Sequence, residues 1–304
     1  LGARRATEDV EVTRCQLVTM HNALKLGTES TGDFERIVFS HCTIRGRPHP
    51  WQGQLSSGVS LVTVDGGHVR DVRVSDIRMV DVRTPLFIRL GGRGGAPLGP
   101  TRGTLSNVEV SDLTVTGAIV ASSVTGLPGQ PISGISLTRI RVAVAGGFSF
   151  RDGFRRGFIG EFTRYQAPQD VPEHGNSYPD AYMYRRLPAY GFYGRHVRGL
   201  TLDRIDLEID EPDRRSAVVL DDVHDATLHA MSAAGAAGTA PLLLLRSVQG
   251  CRVDGVRPRT GTRVFLQVSG ADTRDVRLAR NDLSGVERAV ILDEDVVPGA
   301  LRVD

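Results

Sequence analysis

Lysine is almost missing from this chain: Lys25 is the only one, so 36 of the 37 basic residues are arginine. The arginines are spread along the chain among 35 acidic residues, giving a net charge of +2. A nucleic-acid footprint would instead show clustered basic charge interleaved with stacking aromatics. GC-rich coding accounts for the arginine bias, and no nucleic-acid partner is expected. Long apolar runs are also absent, and nothing approaches the roughly 18–20 residues of a membrane-spanning helix. Nor does a basic-plus-apolar leader stand at the N-terminus. The chain opens at Leu1 without a Met, so this end does not reveal the compartment. Three cysteines, Cys15, Cys42 and Cys251, form neither an even-numbered disulfide framework nor a C-x-x-C pair. They read as small buried hydrophobes.

What is present is a repeat. A short alternating segment recurs at Val10-Glu11-Val12, Ile37-Val38-Phe39, Val72-Arg73-Val74, Val108-Glu109-Val110, Ile135-Ser136-Leu137 and Leu200-Thr201-Leu202. Fainter copies follow at Ala226, Cys251 and Val276. Three residues beyond each copy comes a further slot, occupied by Cys15, Cys42, Ile77, Leu113, Ile140, Ile205, Met231, Val256 and Asn281. Eight of these nine are apolar, which fixes an inward column rather than a chance alignment. A second strand follows in each unit, as at Ala23–Leu26, Gly58–Leu61, Leu86–Arg89, Val218–Leu220, Leu242–Leu244 and Ala289–Leu292. Period-two alternation with β-branched residues predicts strands, and Gly, Asn and Asp between them predict tight corners.

Units of roughly 25–27 residues, with two near 35, suit a solenoid that pairs each strand with its equivalent one coil on. The fixed leucine and asparagine frame of leucine-rich repeats is absent, and a β-sandwich would need hairpins every 8–12 residues or so. The sequence therefore predicts an all-β, right-handed, single-stranded parallel β-helix, one domain over 1–304. An aromatic-rich insertion at about 146–187 breaks the rhythm. Twelve of the 17 aromatic residues lie between Phe148 and Tyr193. A long loop the coil does not need is either packed on its own rings or a wall of a binding cleft.

The segment Asn22-Ala-Leu-Lys-Leu-Gly-Thr-Glu-Ser-Thr-Gly-Asp-Phe resembles the pectin-degrading glycoside hydrolases of family 28, the polygalacturonase-like enzymes, and their broad bacterial branch in particular. The likeness continues through Arg36-Ile-Val-Phe-Ser-His-Cys-Thr-Ile-Arg, Ser57-Gly-Val-Ser-Leu-Val-Thr-Val-Asp-Gly-Gly and Arg83-Thr-Pro-Leu-Phe-Ile-Arg-Leu-Gly. Weaker matches are Val124-Thr-Gly-Leu-Pro-Gly, Leu187-Pro-Ala-Tyr-Gly-Phe-Tyr and Ala217-Val-Val-Leu-Asp-Asp-Val. The resemblance implies a pectate-lyase-like solenoid, a monomer, secreted or periplasmic, hydrolysing an acidic polysaccharide without a cofactor. It departs from the family pattern where the chemistry should be. The family's Asn-x-Asp and Asp-Asp carboxylates belong upstream of the Lys25 strand, where Glu8 and Asp9 stand outside any such motif. Its Gly-His-Gly falls at His21-Asn22-Ala23 and its Arg-Ile-Lys at Ser60-Leu61-Val62. The chain thus resembles the C-terminal portion of such an enzyme, or a divergent member.

Hydrolysis of a glycosidic bond needs one carboxylic acid to protonate the leaving oxygen and one carboxylate to activate water or attack the sugar. Coils about 4.8 Å apart place outward carboxylates of neighbouring coils at suitable separations. Aligned second strands put Lys25, Ser60 and Phe87 in one outward column and Gly27, Val62 and Arg89 in the next. Glu29 and Asp65 follow just past the strand ends as the candidate carboxylate pair, with solvated corners as the plainer reading. His21 is a candidate proton-transfer group. Lys25, Asn22 and Arg89 are candidates for holding a uronate carboxylate, and Glu173, Tyr190 and His196 for approaching from the aromatic loop. Asp221-Asp222, five or six coils from Lys25, reads as a turn. His174, His196, His224 and His229 lack metal-ligand spacing, and no metal is expected. The alternatives to a hydrolase are a non-catalytic carbohydrate-binding β-helix and, less favoured, a polysaccharide lyase.

Overall fold

The computed structural model describes residues 5–47, 55–92, 103–146, 167–184 and 186–304. Among the described residues, twenty-one strands join one network, and strands of the inner coils pair in parallel with the strands one coil before and after. The chain is a right-handed parallel β-helix. Its inward column runs in direct register from Ile37 through Val72, Val108, Ile135, Leu200, Ala226 and Cys251 to Val276. The second column, Cys42, Ile77, Leu113, Ile140 and Ile205, is equally in register. One more coil escapes the sequence pattern: Leu301–Val303 pairs with Val276–Leu278.

The physical basis is the stacking of apolar side chains from each coil on those of the next. Nearly all of both columns is buried, in one continuous core. Cys42 and Cys251 belong to it as free thiols, and burial pushes the Cys251 thiol up to about 12. Cys15, on the first coil, is half-buried.

Several strands are long because they turn without ending. Ile132–Gly146 and Ala189–Glu211 pass from one face to the next through single residues in the left-handed region. Gly, Asn and Asp hold many of these corners, as expected from their tolerance of positive φ. Arginine and histidine hold others, including Arg36, His41, Arg139, His196 and Arg204, each with φ of 53°. Stacking of neighbouring coils sets the corner geometry there, and local preference yields to it.

The third face carries the second strands. Its outward column is Lys25, Ser60, Phe87, Ser123, Tyr193, Val219, Leu244, Gln267 and Ile291, one residue per coil from the first to the ninth. A neighbouring column holds Val62, Arg89, Thr125, Arg195, Asp221, Arg246 and Ser269. This is the flank that the sequence leaves open as a groove, and the structure partly covers it.

The covering comes from the insertion, bracketed by Gly146 and Ala189. Within it, residues 147–166 lie outside those described, including Phe148 to Tyr165 of the aromatic run. Residues 167–184 form a strap across the third face, with two short 3₁₀ turns at Pro168–Asp170 and Ala181–Tyr184. Val171, Ala181 and Tyr184 pack with Phe87, Tyr193 and Val219 in a second apolar cluster outside the coil. Among its described residues, the insertion therefore buries the Tyr184 ring on the sheet and, at Ala167–Gln169, also walls a cleft.

Candidate functional site

That cleft has a volume of about 710 Å³, within the range of roughly 300–1,000 Å³ typical of ligand sites. It lies beside coils six to nine, next to the described strap residues Ala167–Gln169. Ala167–Gln169 of the strap form one side and the 237–241 loop another. Arg214, Arg246, Gln267, Ser269, Asp293 and Asp295 supply its polar groups. Arg214 is exposed and, among the described residues, has no ion-pair partner. The Gln267 side-chain amide donates to both oxygens of Asp293, at 2.8 and 3.1 Å. Asp295 accepts the backbone N–H of Gly270 at 3.0 Å.

The rim is held by a buried ion pair. Arg215 grips Asp213 through Nε at 2.9 Å and Nη2 at 2.7 Å, and its third nitrogen donates to the Ala189 carbonyl at 2.8 Å. Burial alone would raise the Asp213 pKa, but the Arg215 charge and hydrogen bonds outweigh it and hold the carboxyl below its ordinary value.

Arg246 joins the cleft to a charged network under the strap. It binds Asp221 Oδ1 at 2.7 Å. Arg195 approaches the other oxygen of Asp221 at 3.1 Å, close enough for an ion pair but without hydrogen-bond alignment. Arg195 also meets Glu173 of the strap at 2.5 Å and donates to the Val171 carbonyl at 2.6 Å.

His196 and Asp222 are successive residues of one corner column, both with φ of 53°, so their side chains stack on consecutive coils. His196 Nδ1 lies 2.5 Å from Asp222 and Nε2 lies 3.1 Å from Glu173. His224 reaches the other oxygen of Asp222 at 3.3 Å. The corner is tight on the preceding coil too, since a Cβ on Gly126 would sit 2.5 Å from the His196 carbonyl.

A neutral imidazole has one N–H, whereas two carboxylates call for two donors. Burial pulls the His196 pKa down, but the hydrogen bonds to Asp222 and Glu173 outweigh it and the net shift is upward. For Glu173, desolvation opposes the charge and His196 and Arg195 overcome it, so its pKa falls. The His196 hydrogen bond likewise lowers that of Asp222. The histidine contribution is thus complete below its ordinary pKa of 6.5 and is lost as pH rises through the higher folded value. The carboxylate contributions are complete above 4.5 and 3.8 and are lost as pH falls through the lower folded values. The strap is therefore expected to be held most firmly between pH 4.5 and 6.5. Amide exchange of residues 171–184, corrected for intrinsic rates, should quicken on the alkaline side, and His196→Gln should flatten that limb. A profile unchanged by the substitution would contradict this anchoring.

The sequence-derived candidates divide. Glu173 and His196 meet, as their placement near the aromatic loop suggests. Tyr190 does not join them: it is an inward core residue whose hydroxyl donates to the Ala234 carbonyl at 2.7 Å, so it is corrected to a structural role. Arg89 points outward but is buried under the strap, donating to the carbonyls of Gly126 at 3.0 Å and Glu173 at 2.6 Å. It is corrected to an anchor of the strap. Asn22 is half-buried between Ser57, which donates to it at 2.5 Å, and Asp180, to which it donates at 3.4 Å. Glu29 and His21 are exposed and Asp65 half-buried, all on the first two coils, away from the cleft. Lys25 lies on that same coil, with Nζ 5.7 Å from the Tyr178 ring centroid. Asp222 is the turn residue that its sequence suggests, and also a partner of His196. Extending the Arg89 column down the repeat would have brought Arg195, Asp221 and Arg246 together from sequence.

No family model matches this chain, and no curated protein matches it. Among solved structures, the A-module of the mannuronan C-5 epimerase AlgE4 of Azotobacter vinelandii aligns over 90% of this chain and 91% of its own, at 12% identity and a TM-score of 0.27. The catalytic domain of a GH87 alpha-1,3-glucanase, in complex with tetrasaccharides, aligns over 98% of this chain and 63% of its own, at 10% identity and a TM-score of 0.19.

Proposed function

We propose that this chain is a carbohydrate-active β-helix that holds an acidic oligosaccharide in the cleft beside coils six to nine. The observation that carries this reading is the placement of Arg214 and Arg246 in one open cleft with Gln267, Ser269 and Asp293. A guanidinium pairs bidentately with a carboxylate such as that of a uronate. The neighbouring amide, hydroxyl and carboxylate suit sugar hydroxyls, which both donate and accept. Coils stacked at about 4.8 Å present these groups at regular intervals along an extended ligand.

Calorimetric titration with tri-galacturonate and with its neutral counterpart tests the reading. The acidic trimer should bind and the neutral one should bind at least about tenfold more weakly, a difference of about 1.4 kcal/mol. Arg214→Gln should erase much of that preference. Equal binding of the two trimers, or an unchanged preference in the variant, would overturn it.

Asp293 and Asp295 favour a second, finer reading: hydrolysis of a glycosidic bond, the activity implied by the family 28 resemblance. Both carboxylates line the cleft, and a hydrolase needs two. Incubation with the acidic polymer should then release new reducing ends without an unsaturated, ultraviolet-absorbing product, and Asp293→Asn should abolish the release. Unsaturated products would indicate a lyase, and binding without products a non-catalytic β-helix.

A further inference from the structure

The strap's outer surface carries a second feature, at the far end of the same flank. Tyr184, Tyr190 and Tyr193 are each buried to 2% exposure or less, whereas Tyr178 is 51% and Tyr182 46% exposed. The chain's only lysine lies beside Tyr178, with its ammonium 5.7 Å from the ring centroid. Among the described residues no carboxylate comes within ion-pair distance of Lys25. The setting is built rather than loose. Asp180, between the two rings in sequence, is buried and accepts a hydrogen bond from Asn22, and Thr28 donates to the Tyr178 hydroxyl at 3.4 Å.

We infer that Tyr178, Tyr182 and Lys25 form a second binding platform for an acidic saccharide chain, so that a long polymer is held at two points of one flank. The ligand class rests on the cleft reading above. An exposed ring offers a face to the C–H groups of a sugar, and the ammonium beside it offers a charge to a uronate carboxylate. Lys25 and Leu244 occupy the first and seventh coils of one outward column. Six steps of about 4.8 Å separate platform from cleft by roughly 30 Å. A trimer can fill one site only, whereas a polymer reaching across both gains from the second attachment being intramolecular.

The test compares tri-galacturonate with long polygalacturonate on the intact protein, by titration and by affinity electrophoresis. The polymer should bind at least about tenfold more tightly per chain than the trimer. Lys25→Gln, a change on a half-buried side chain that keeps both rings, and Tyr178→Ala/Tyr182→Ala, with its fold checked by circular dichroism, should each remove most of that advantage. Trimer binding at the cleft should stay unchanged. A polymer advantage retained in both variants, or no advantage in the unaltered protein, would overturn the platform. A trimer that fails to bind while polymer binding still falls in the Lys25 variant would overturn the cleft and leave the platform standing.

Discussion

Asp213→Ala is expected to lower the stability of the chain by about 3–5 kcal/mol, the usual cost of stripping one partner from a buried ion pair. Both side chains are shielded from water, Asp213 at 0% exposure and Arg215 at 2%. The substitution would leave the Arg215 guanidinium buried with only the Ala189 carbonyl, and would also remove the carboxylate 3.9 Å from Arg186. Because Arg215 and Ser216 line the cleft, acidic-saccharide binding should fall with stability. The double variant Asp213→Ala/Arg215→Met removes the stranded charge and should recover a good part of the loss. Denaturant unfolding of the three proteins checks this. A single substitution costing less than about 1 kcal/mol would show that the pair is solvated.

Phe265→Ala should cost about 3–5 kcal/mol, from lost burial and the cavity left behind. Phe265 is fully buried in the eighth coil, within the continuous core. In a solenoid each coil touches only its neighbours, so the damage should remain local. Coils seven to ten should fray while the first six stay folded. Hydrogen exchange should show lost protection in Leu243–Arg246, Val264–Ser269 and Arg288–Leu292 and retained protection in Val69–Val80. Uniform loss along the whole chain would mean that the coils unfold as one unit.

The coil was legible because its cause is repetitive. One inward position recurs on every turn, and Ile37 to Val276 could be aligned without knowing what lies between them. Corners were half-legible: Asp71, Asn107 and Gly134 read as turns, but Arg36, His41 and His196 sit in left-handed backbone for reasons of stacking that their residue types do not express. Alternation gave the outward direction of Arg89 correctly and said nothing of what covers it, since the strap reaches back across 84 residues to bind it. Tyr190 and Phe192 alternate inward together, a signal hidden because their strand follows directly on an aromatic insertion. The cleft was the least legible part. Its polar groups come from four coils and a loop, and only the register of the third face brings Arg214, Arg246, Gln267 and Asp293 to one place.

Hydrogen exchange of the intact chain with and without saturating tri-galacturonate tests the central assignment most directly. Slowed exchange should appear at residues 237–246, 267–270 and 293–295 and the adjoining strap residues 167–169, whether or not weaker protection also appears around Lys25 and Tyr178. Protection confined to the first two coils around Lys25 and Glu29, or none anywhere, would contradict the placement of the acidic saccharide in this cleft.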